Sequence, residues 1–354
     1  MNNFQSVEAL FKPFEMGNLK LSNRILMAPM TRNASPNGVP GEDVAAYYRR
    51  RAENGVGLIV TEGTFINHPD VASEVPAWQE DVPHLYGEEA LNGWSKVVDG
   101  VHEAGGKIFS QLWHMGARGH VNDYSKQEIL ELIEAFAQAA ANAKKVGFDG
   151  IELLGGHGFL IDQFFWEKTN TRTDEYGGDI AKRTRFASEV IKACRRVVGP
   201  DFPISLRISQ WKYDFYTAKL VETPEELKRF LTPLVDAGVD IFHASIRRFW
   251  EPEFEGSELN LSGWIKKLTG KPTITIGSVG LEGADFLDYF ANGEQANGGD
   301  TKMGALMERL EREEFDLVAV GRALLSDPNW VNKIREGRTE ELIPFTREAI
   351  ETLY

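Results

Sequence analysis

The chain has 354 residues, of which 42% are hydrophobic and 26% are charged, and its formal net charge is −14. This composition is typical of a globular protein with a substantial core. The acidic balance, with no basic run, argues against nucleic acid or an anionic membrane as a partner.

The N-terminal segment and the single cysteine, Cys194, indicate where the protein is expected to act. Residues 1–18 lack the basic start and the apolar core of a signal peptide, and no apolar run reaches the ~18 residues of a membrane span. One cysteine cannot form an internal disulfide or an iron–sulfur site, and we predict no metal site. We therefore expect a cytoplasmic protein that acts on a small molecule, with homo-oligomer formation left open.

A short hairpin begins the predicted fold, since two apolar arms within Phe14–Leu21 flank a turn at Gly17 and Asn18. Beyond it, short apolar runs alternate with longer amphipathic stretches. The predicted strands are Arg24–Ala28, Gly57–Thr61, Lys107–Leu112, Gly150–Leu154, Ile204–Ile208, Ile241–Ala244, Thr273–Ile276 and Leu317–Val320. The predicted helices are Asp43–Asn54, Gly87–Ala104, Gln127–Val146, Ile180–Val198 and Thr223–Ala237.

This alternation predicts an α/β fold, a (β/α)8 TIM barrel with an N-terminal β-hairpin and elaborated βα loops. The hairpin is expected to cover the N-terminal end of the barrel. A doubly wound open sheet is the alternative, but no GxGxxG follows the first strand. Residues 282–314 contain a glycine- and asparagine-rich centre, which favours a surface loop followed by a helix. We expect residues 1–354 to form a single domain.

Polar residues and glycines follow the predicted strands, where barrel enzymes carry their active sites. Glycines after the last two strands favour a phosphate site, and Arg207 and Arg322 could bind an anionic group. Gln111 and Thr31 can form hydrogen bonds along the edge of a planar heterocycle. FMN, a phosphorylated and planar redox cofactor, satisfies these features together. The strand-end residues are Pro29, Met30, Thr31, Arg32, Glu62, Gly63, Gln111, Trp113, His114, Gly155, Gly156, His157, Arg207, Ser245, Ile246, Arg247, Arg248, Gly277, Ser278, Gly321 and Arg322.

Longer motifs in the same segments resemble the Old Yellow Enzyme family of FMN-dependent oxidoreductases. They are LFKPFEMGNLKLSNRILMAPMTR, AAYYRRRAENGVGLIVTEG, IFSQLWHMG, GFDGIELLGGHGFLIDQF with RTDEYGG, and LVAVGRALLSDPNWVNKI. The resemblance implies FMN as the cofactor and NADH or NADPH as the reductant. By resemblance, Pro29, Thr31, Gly63 and Gln111 would contact the flavin ring, and Arg207 would lie near its N1–C2 region. The phosphate would be held by Gly277, Ser278, Gly321 and Arg322, and Met30 is also predicted to bind the cofactor.

The resemblance also implies a reaction, and the chain departs from its usual residues. In the family, hydride passes from NAD(P)H through flavin N5 to an activated alkene. A His–Asn or His–His pair holds the substrate oxygen, and a tyrosine supplies a proton. The corresponding positions here are Leu154, His157 and Phe159. Because only His157 can donate a hydrogen bond, we predict a divergent ene-reductase.

Other side chains are predicted to rebuild the substrate pocket around His157. Tyr213 and Tyr216 are alternative proton donors, and His157 completes the predicted catalytic set. The predicted substrate-binding residues are Trp113, His114, His157, Phe159 and Arg247, the last for a carboxylate. Ordinary loop packing is an alternative explanation for these clusters.

Three other functions are consistent with the sequence. The first is a flavin dehydrogenase or demethylase that oxidises a C–N or ring C–H bond, which requires neither the second donor nor the tyrosine. The second is a non-redox lyase or aldolase that binds a sugar phosphate on the same barrel. The third is a flavin-binding protein without turnover.

Overall fold

A closed barrel of parallel strands forms the centre of the protein and confirms the predicted fold. The computed structural model describes residues 6–72, 80–116, 120–213, 215–281 and 302–354. The order around the barrel is β10-β3-β4-β5-β6-β7-β8-β9, closed by pairing of β9 with β10. The barrel strands are β3 (Ile25–Met27), β4 (Leu58–Phe65), β5 (Lys107–Trp113), β6 (Gly150–His157), β7 (Ile204–Lys212), β8 (Ile241–Ala244), β9 (Thr273–Thr275) and β10 (Leu317–Val320).

Helices surround the strands, and the longer ones each bury an apolar face in the core. The described helices are α1 (Glu42–Glu53), α2 (Glu88–Glu103), α3 (Lys126–Val146), α4 (Leu160–Phe165), α5 (Arg185–Val198), α6 (Pro224–Ala237), α7 (Leu261–Thr269), α8 (Met303–Glu311), α9 (Arg322–Ser326), α10 (Trp330–Arg335) and α11 (Glu348–Glu351). α3 begins with a capping box between Ser125 and Glu128, and it ends at Gly147 in the left-handed conformation. α5 begins later than predicted, because a 3₁₀ turn at Lys182–Thr184 precedes it.

The N-terminal hairpin seals one end of the barrel, as predicted. β1 (Phe14–Met16) and β2 (Leu19–Leu21) pair antiparallel around Gly17. Hairpin side chains share a buried apolar cluster with the first residues of barrel strands, among them Leu58 and Ile241. Water and ligands are therefore excluded from this end, and the opposite mouth is left for chemistry.

The neighbouring strands β6 and β7 continue beyond their predicted ends, and β4 likewise reaches Phe65 instead of Thr61. β6 and β7 pair regularly as far as Gly155 and Ile208, and the register then shifts before His157 pairs with Lys212. Such an irregularity bends a strand and redirects its side chains. It carries His157 to the rim of the barrel instead of leaving it in a loop.

The described part of residues 282–314 contains the expected helix, α8, while the predicted loop at 282–301 lies outside the described residues. No helix in the described part of the chain is long and apolar enough to cross a bilayer.

The RTDEYGG motif forms a tight turn in which Gly177 packs against the backbone of Arg172. A Cβ atom on Gly177 would lie 1.9 Å from the carbonyl oxygen of Arg172. We expect Gly177→Ala to reduce the free energy of unfolding by about 2–3 kcal/mol, measured by urea titration. Gly100→Ala in helix α2 is the control, because a Cβ at Gly100 would meet nothing nearer than 3.7 Å. This variant should gain about 0.5–1 kcal/mol in the free energy of unfolding, since alanine favours a helix over glycine. Equal effects of the two substitutions would contradict this account.

Candidate active site

A buried guanidinium lies at the open end of the barrel. Arg207 of β7 is level with Leu154 on β6 and with His243 on β8. Its side chain is 8% exposed, and Nη2 donates to Ser245 Oγ at 3.1 Å. Its Nε is buried and has no partner among the described residues. Arginine keeps its proton in proteins, so the barrel contains a fixed positive charge with one donor still available.

Glu152 supplies the opposing charge. Its buried carboxylate accepts hydrogen bonds from Gln111 Nε2 at 2.9 Å, Ser205 Oγ at 3.1 Å and His243 Nδ1 at 2.8 Å. Burial opposes its ionisation, but His243, Arg207 and the Gln111 hydrogen bond outweigh burial and hold the pKa of Glu152 below its ordinary value. Burial also lowers the pKa of His243, so that ring is neutral at pH 7. The carboxylate therefore balances Arg207 and fixes the orientation of Gln111.

The predicted phosphate-binding residues lie at the ends of two adjacent strands, β9 and β10. Gly277 has φ +124°, and a Cβ there would lie 2.7 Å from the carbonyl oxygen of Ile246, so only glycine fits. Ser278 follows with φ +55°. Gly321 and Arg322 occupy the corresponding position after β10. The backbone at this rim can approach a ligand closely, as a phosphate group requires.

The segment after β3 completes the predicted cofactor side. β3 lies between β10 and β4, so Pro29, Met30 and Thr31 follow a strand adjacent to both. Met30 packs beside Gly321, where a Cβ would be 3.6 Å from the methionine sulfur. Thr31 is exposed. On β4, Gly63 lies under the Trp113 ring, because a Cβ at Gly63 would be 2.5 Å from that ring.

Glu62 fixes the next part of this segment. Its Oε2 accepts from the backbone N–H groups of Arg32 at 2.8 Å and Asn33 at 2.9 Å. Its Oε1 is buried without a partner among the described residues. Burial outweighs these hydrogen bonds and raises the pKa of Glu62 to about 7.

Most of the predicted substrate-binding residues form a continuous row of rings. Trp113 meets Phe159 edge-on with ring centroids 5.1 Å apart, and Phe159 meets His157 at 6.4 Å. His157 stacks on Trp211 at 4.4 Å, and Trp211 stacks on Tyr216 at 5.2 Å. The two contacts of Phe159 are edge-on, at interplanar angles of 69° and 75°, whereas His157, Trp211 and Tyr216 stack on one another. The row therefore offers aromatic edges and faces beside the imidazole, which suits a conjugated ligand.

The remaining candidates lie at or beside the ends of this row. The Arg247 guanidinium lies 4.9 Å from the centre of the Tyr216 ring. Tyr213 is 49% exposed, and its backbone N–H donates to the carbonyl oxygen of His157. Trp211 separates Tyr216 from His157. The roles of both tyrosines as proton donors stay predictions.

His114 is buried apart from the row. Its Nδ1 accepts from the backbone N–H of Gly116 at 3.0 Å, and its ring lies 5.5 Å from that of His68. Burial lowers the pKa of His114 to about 3, so the ring is neutral at physiological pH. Its Nε2 is buried without a partner among the described residues.

His157 occupies a constrained turn. Its φ is +63°, a left-handed value that is unusual for a residue with a side chain. The backbone N–H of His157 donates to Ser209 Oγ at 2.8 Å, and that of Gly158 donates to Asp162 Oδ2 at 2.7 Å. Lys212 Nζ in turn donates to Asp162 Oδ1 at 2.8 Å, with both side chains buried. The buried ion pair therefore anchors the turn that carries His157.

The ring of His157 is neutral. Its burial and the nearby positive charges of Arg207 and Lys212 lower its pKa well below the ordinary value. Its Nε2 lies 2.7 Å from Ser245 Oγ. In the described part of the chain, no group of three His, Cys, Asp or Glu residues is arranged to hold a metal ion.

Sequence reasoning missed several of these contacts. Glu152, Asp162 and Lys212 were not predicted as site residues, and Ser245 was recognised only as a residue that follows a predicted strand, without a role. A charged residue inside an apolar run, as in GIELL, was the available signal for Glu152, because charges are almost never fully buried without partners.

A closed barrel with glycines at two adjacent strand ends and a buried guanidinium is suited to a phosphorylated, planar cofactor, and the row of rings lies on the predicted substrate side. The family profile of the NADH:flavin oxidoreductase / NADH oxidase family matches residues 9–127 and 119–294. The chain therefore belongs to this family, and its predicted membership of the Old Yellow Enzyme group of FMN-dependent oxidoreductases is confirmed. The unpartnered Nε of Arg207 and the glycine at Gly277 fit FMN.

Relatives of known name support this assignment. The NADH oxidase of Thermoanaerobacter brockii is 33% identical over 369 residues, covering 94% of this chain and 52% of the relative, so the chain spans about half its length. The 12-oxophytodienoate reductase 7 of Oryza sativa subsp. japonica is 31% identical over 369 residues, covering 94% and 89%. The structure of morphinone reductase in complex with tetrahydroNAD has a TM-score of 0.77 at 26% identity, covering 96% and 93% of the two chains.

The ion pair beneath His157 generates a stability prediction. Lys212→Met leaves the buried Asp162 carboxylate without its cation and should cost about 3–5 kcal/mol in urea unfolding. The control is Lys126→Met, which removes the partner of Glu175 in an exposed pair and should cost less than about 1 kcal/mol. Equal losses in the two variants would show that the buried pair does not hold the turn.

Glu62 generates a pH prediction. Its pKa is about 7 in the folded chain against an ordinary value of 4.5, so the folded state holds the proton more tightly. Stability is therefore lost as pH rises from about 4.5 to about 7, by up to about 3 kcal/mol. Glu62→Gln should remove this loss, so the variant gains stability over the wild type as pH rises. The unfolding free energies of the wild type and of Glu62→Gln, measured from pH 4 to pH 8, should diverge as pH rises. Parallel profiles would contradict the raised pKa of Glu62.

Proposed function

We propose that this protein is an FMN-dependent ene-reductase that uses NADH or NADPH to reduce an alkene conjugated to a carbonyl or carboxylate oxygen. The supporting observation is the row of rings beside Arg207, in which His157 is a neutral hydrogen-bonding group held in a constrained turn. The reductases among its relatives fit the same reaction class.

The residues of the chain divide into two sets. Arg207, Gln111 and Gly63 would hold the flavin ring, while Gly277 and Arg322 would hold its phosphate. Bound FMN would supply two-electron chemistry by accepting a hydride and delivering it to the substrate. The buried charge of Arg207 favours negative charge near it, and Glu152 limits how strongly it does so.

The substrate side differs from the usual family pattern. Leu154 is 5% exposed and lies in the apolar core, so no second donor arises from its position. Phe159 has no proton to give and packs edge-on against Trp113. We infer that His157 alone polarises the substrate oxygen and that the proton comes from Tyr213, Tyr216 or water. A lost donor of this kind costs about 2.7–4 kcal/mol of transition-state stabilisation, so we expect slow turnover of simple enones.

Anaerobic titration of the purified holoprotein tests this function. We expect NADH or NADPH to bleach the flavin, and an alkene conjugated to a carboxylate or ester to restore its colour. His157→Ala should slow the second step more than the first, because His157 contacts the substrate oxygen. The matched variant Phe159→Leu also removes a ring from the row but keeps the His157 donor. It should therefore slow reoxidation by the alkene less than His157→Ala does.

The competing functions predict other results. Bleaching by amines combined with no response to alkenes would support a dehydrogenase or demethylase. Purified protein without flavin would support the lyase or aldolase. Bound flavin that neither nicotinamide reduces would indicate binding without turnover.

A further inference from the structure

Three side chains from adjacent barrel strands form a hydrogen-bonded chain at the mouth. Arg207 Nη2 lies 3.1 Å from Ser245 Oγ, and Ser245 Oγ lies 2.7 Å from His157 Nε2. The backbone of Ser245 is held on both sides, since its N–H donates to Ile208 and its carbonyl oxygen accepts from Trp211 Nε1. Trp211 also stacks on the His157 ring, so the geometry of the chain is fixed.

The direction of these hydrogen bonds follows from the chemistry of the groups. A guanidinium only donates, so Ser245 Oγ must accept from Arg207. Among the described residues, Arg207 and His157 are the two hydrogen-bond partners of Ser245 Oγ. If Nε2 donated, the buried hydroxyl proton would have no acceptor, which is costly. The hydroxyl therefore donates to Nε2, and that nitrogen carries a lone pair.

The location of the single ring proton follows. The burial of His157 and the charges of Arg207, Lys212 and His243 lower its pKa well below the ordinary value, so the imidazole carries one proton. With Nε2 accepting from Ser245, that proton is on Nδ1. Nδ1 has no hydrogen bond within the described part of the chain. The half-buried ring therefore keeps one donor for a ligand.

We propose that Ser245 is a positioning residue that fixes His157 as the Nδ1–H tautomer and thereby selects ligands with an oxygen acceptor. Carbonyl, carboxylate and phenolate oxygens can accept from Nδ1–H, whereas an ammonium group, which only donates, cannot. The inference rests on the proposed function, because it names the substrate class of the same site.

Nitrogen NMR of the holoprotein tests the tautomer without turnover. Protein labelled with ¹⁵N at histidine gives long-range ¹H–¹⁵N correlations that distinguish protonated from unprotonated ring nitrogens. The His157 signals are assigned by their absence from His157→Ala. We expect the wild type to carry the proton on Nδ1, Ser245→Ala to become a mixture of tautomers, and Ser245→Thr to restore the wild-type pattern.

Controls separate this effect from a general disturbance. Ser110→Ala removes another buried barrel hydroxyl, one with no partner among the described residues, and should leave the His157 signals unchanged. Circular dichroism checks the fold, and Ser245→Cys, a weak donor of similar size, substitutes if the alanine variant does not fold. A proton on Nε2 in the wild type, or an unchanged tautomer in Ser245→Ala, would overturn the proposal.

Calorimetric binding to the oxidised holoprotein tests ligand selection. We expect 4-cyanophenol to bind the wild type and Ser245→Ala to raise its Kd severalfold, because apparent Kd scales inversely with the fraction of the competent tautomer. Benzylamine, a cation of similar ring size, should bind more weakly than the phenol. Tighter benzylamine binding would overturn the selection. Failure of alkene reduction would reject the proposed function but leave the tautomer result standing.

Discussion

The arrangement of polar side chains at the open end of the barrel is determined by one buried positive charge, that of Arg207. Removing an ion from water costs several kcal/mol unless a partner and hydrogen bonds compensate. Glu152 provides the opposing charge, and Ser245 accepts one of the guanidinium hydrogen bonds. The carboxylate in turn needs donors, which explains why Gln111 and His243 lie where an ordinary barrel would carry aliphatic side chains. The interior is thus divided into a polar mouth and an apolar floor sealed by the hairpin.

The strained turn at His157 is the second consequence. A left-handed residue with a side chain costs on the order of 1–3 kcal/mol and persists only when its surroundings compensate. Ser209 and the Asp162–Lys212 pair supply that compensation through backbone N–H groups on either side of the turn. The same shift of register that bends β6 and β7 brings Lys212 beneath the turn. With the turn fixed in this way, the His157 ring lies within hydrogen-bond distance of Ser245.

The sequence predicts the barrel well because its strands are apolar runs separated by amphipathic helices. All the predicted strands exist, and β8 and β10 match their predicted bounds. The ends of β6 and β7 were wrong, because a bulge depends on pairing between strands and leaves no local pattern. The residues predicted to bind the cofactor lie at the ends of neighbouring strands. Their placement could be predicted because the order of strands in a barrel follows the order of the chain. The side chains of Glu152, Asp162 and Ser245 pair with other side chains at least 38 residues away in sequence, such as Arg207 for Ser245 and Lys212 for Asp162, so periodicity could not pair them.

Leu154, Phe159 and the contacts of Ser245 all bear on one property of the site, the number of hydrogen-bond donors that a substrate oxygen can find there. A site with two donors can hold an oxygen whichever tautomer its histidine adopts, since the second donor orients the ligand. With Leu154 in place of that donor, the proposed reaction would depend on His157 to hold the substrate oxygen, and the ring proton would have to lie on the nitrogen that faces the ligand. The positive charges of Arg207 and Arg247 near the ring row also disfavour a cationic substrate. An amine would have to enter as the neutral base, at a cost in free energy that a carboxylate or carbonyl substrate does not incur. This electrostatic argument supports the proposed reduction of an oxygen-bearing alkene over the alternative, oxidation of an amine.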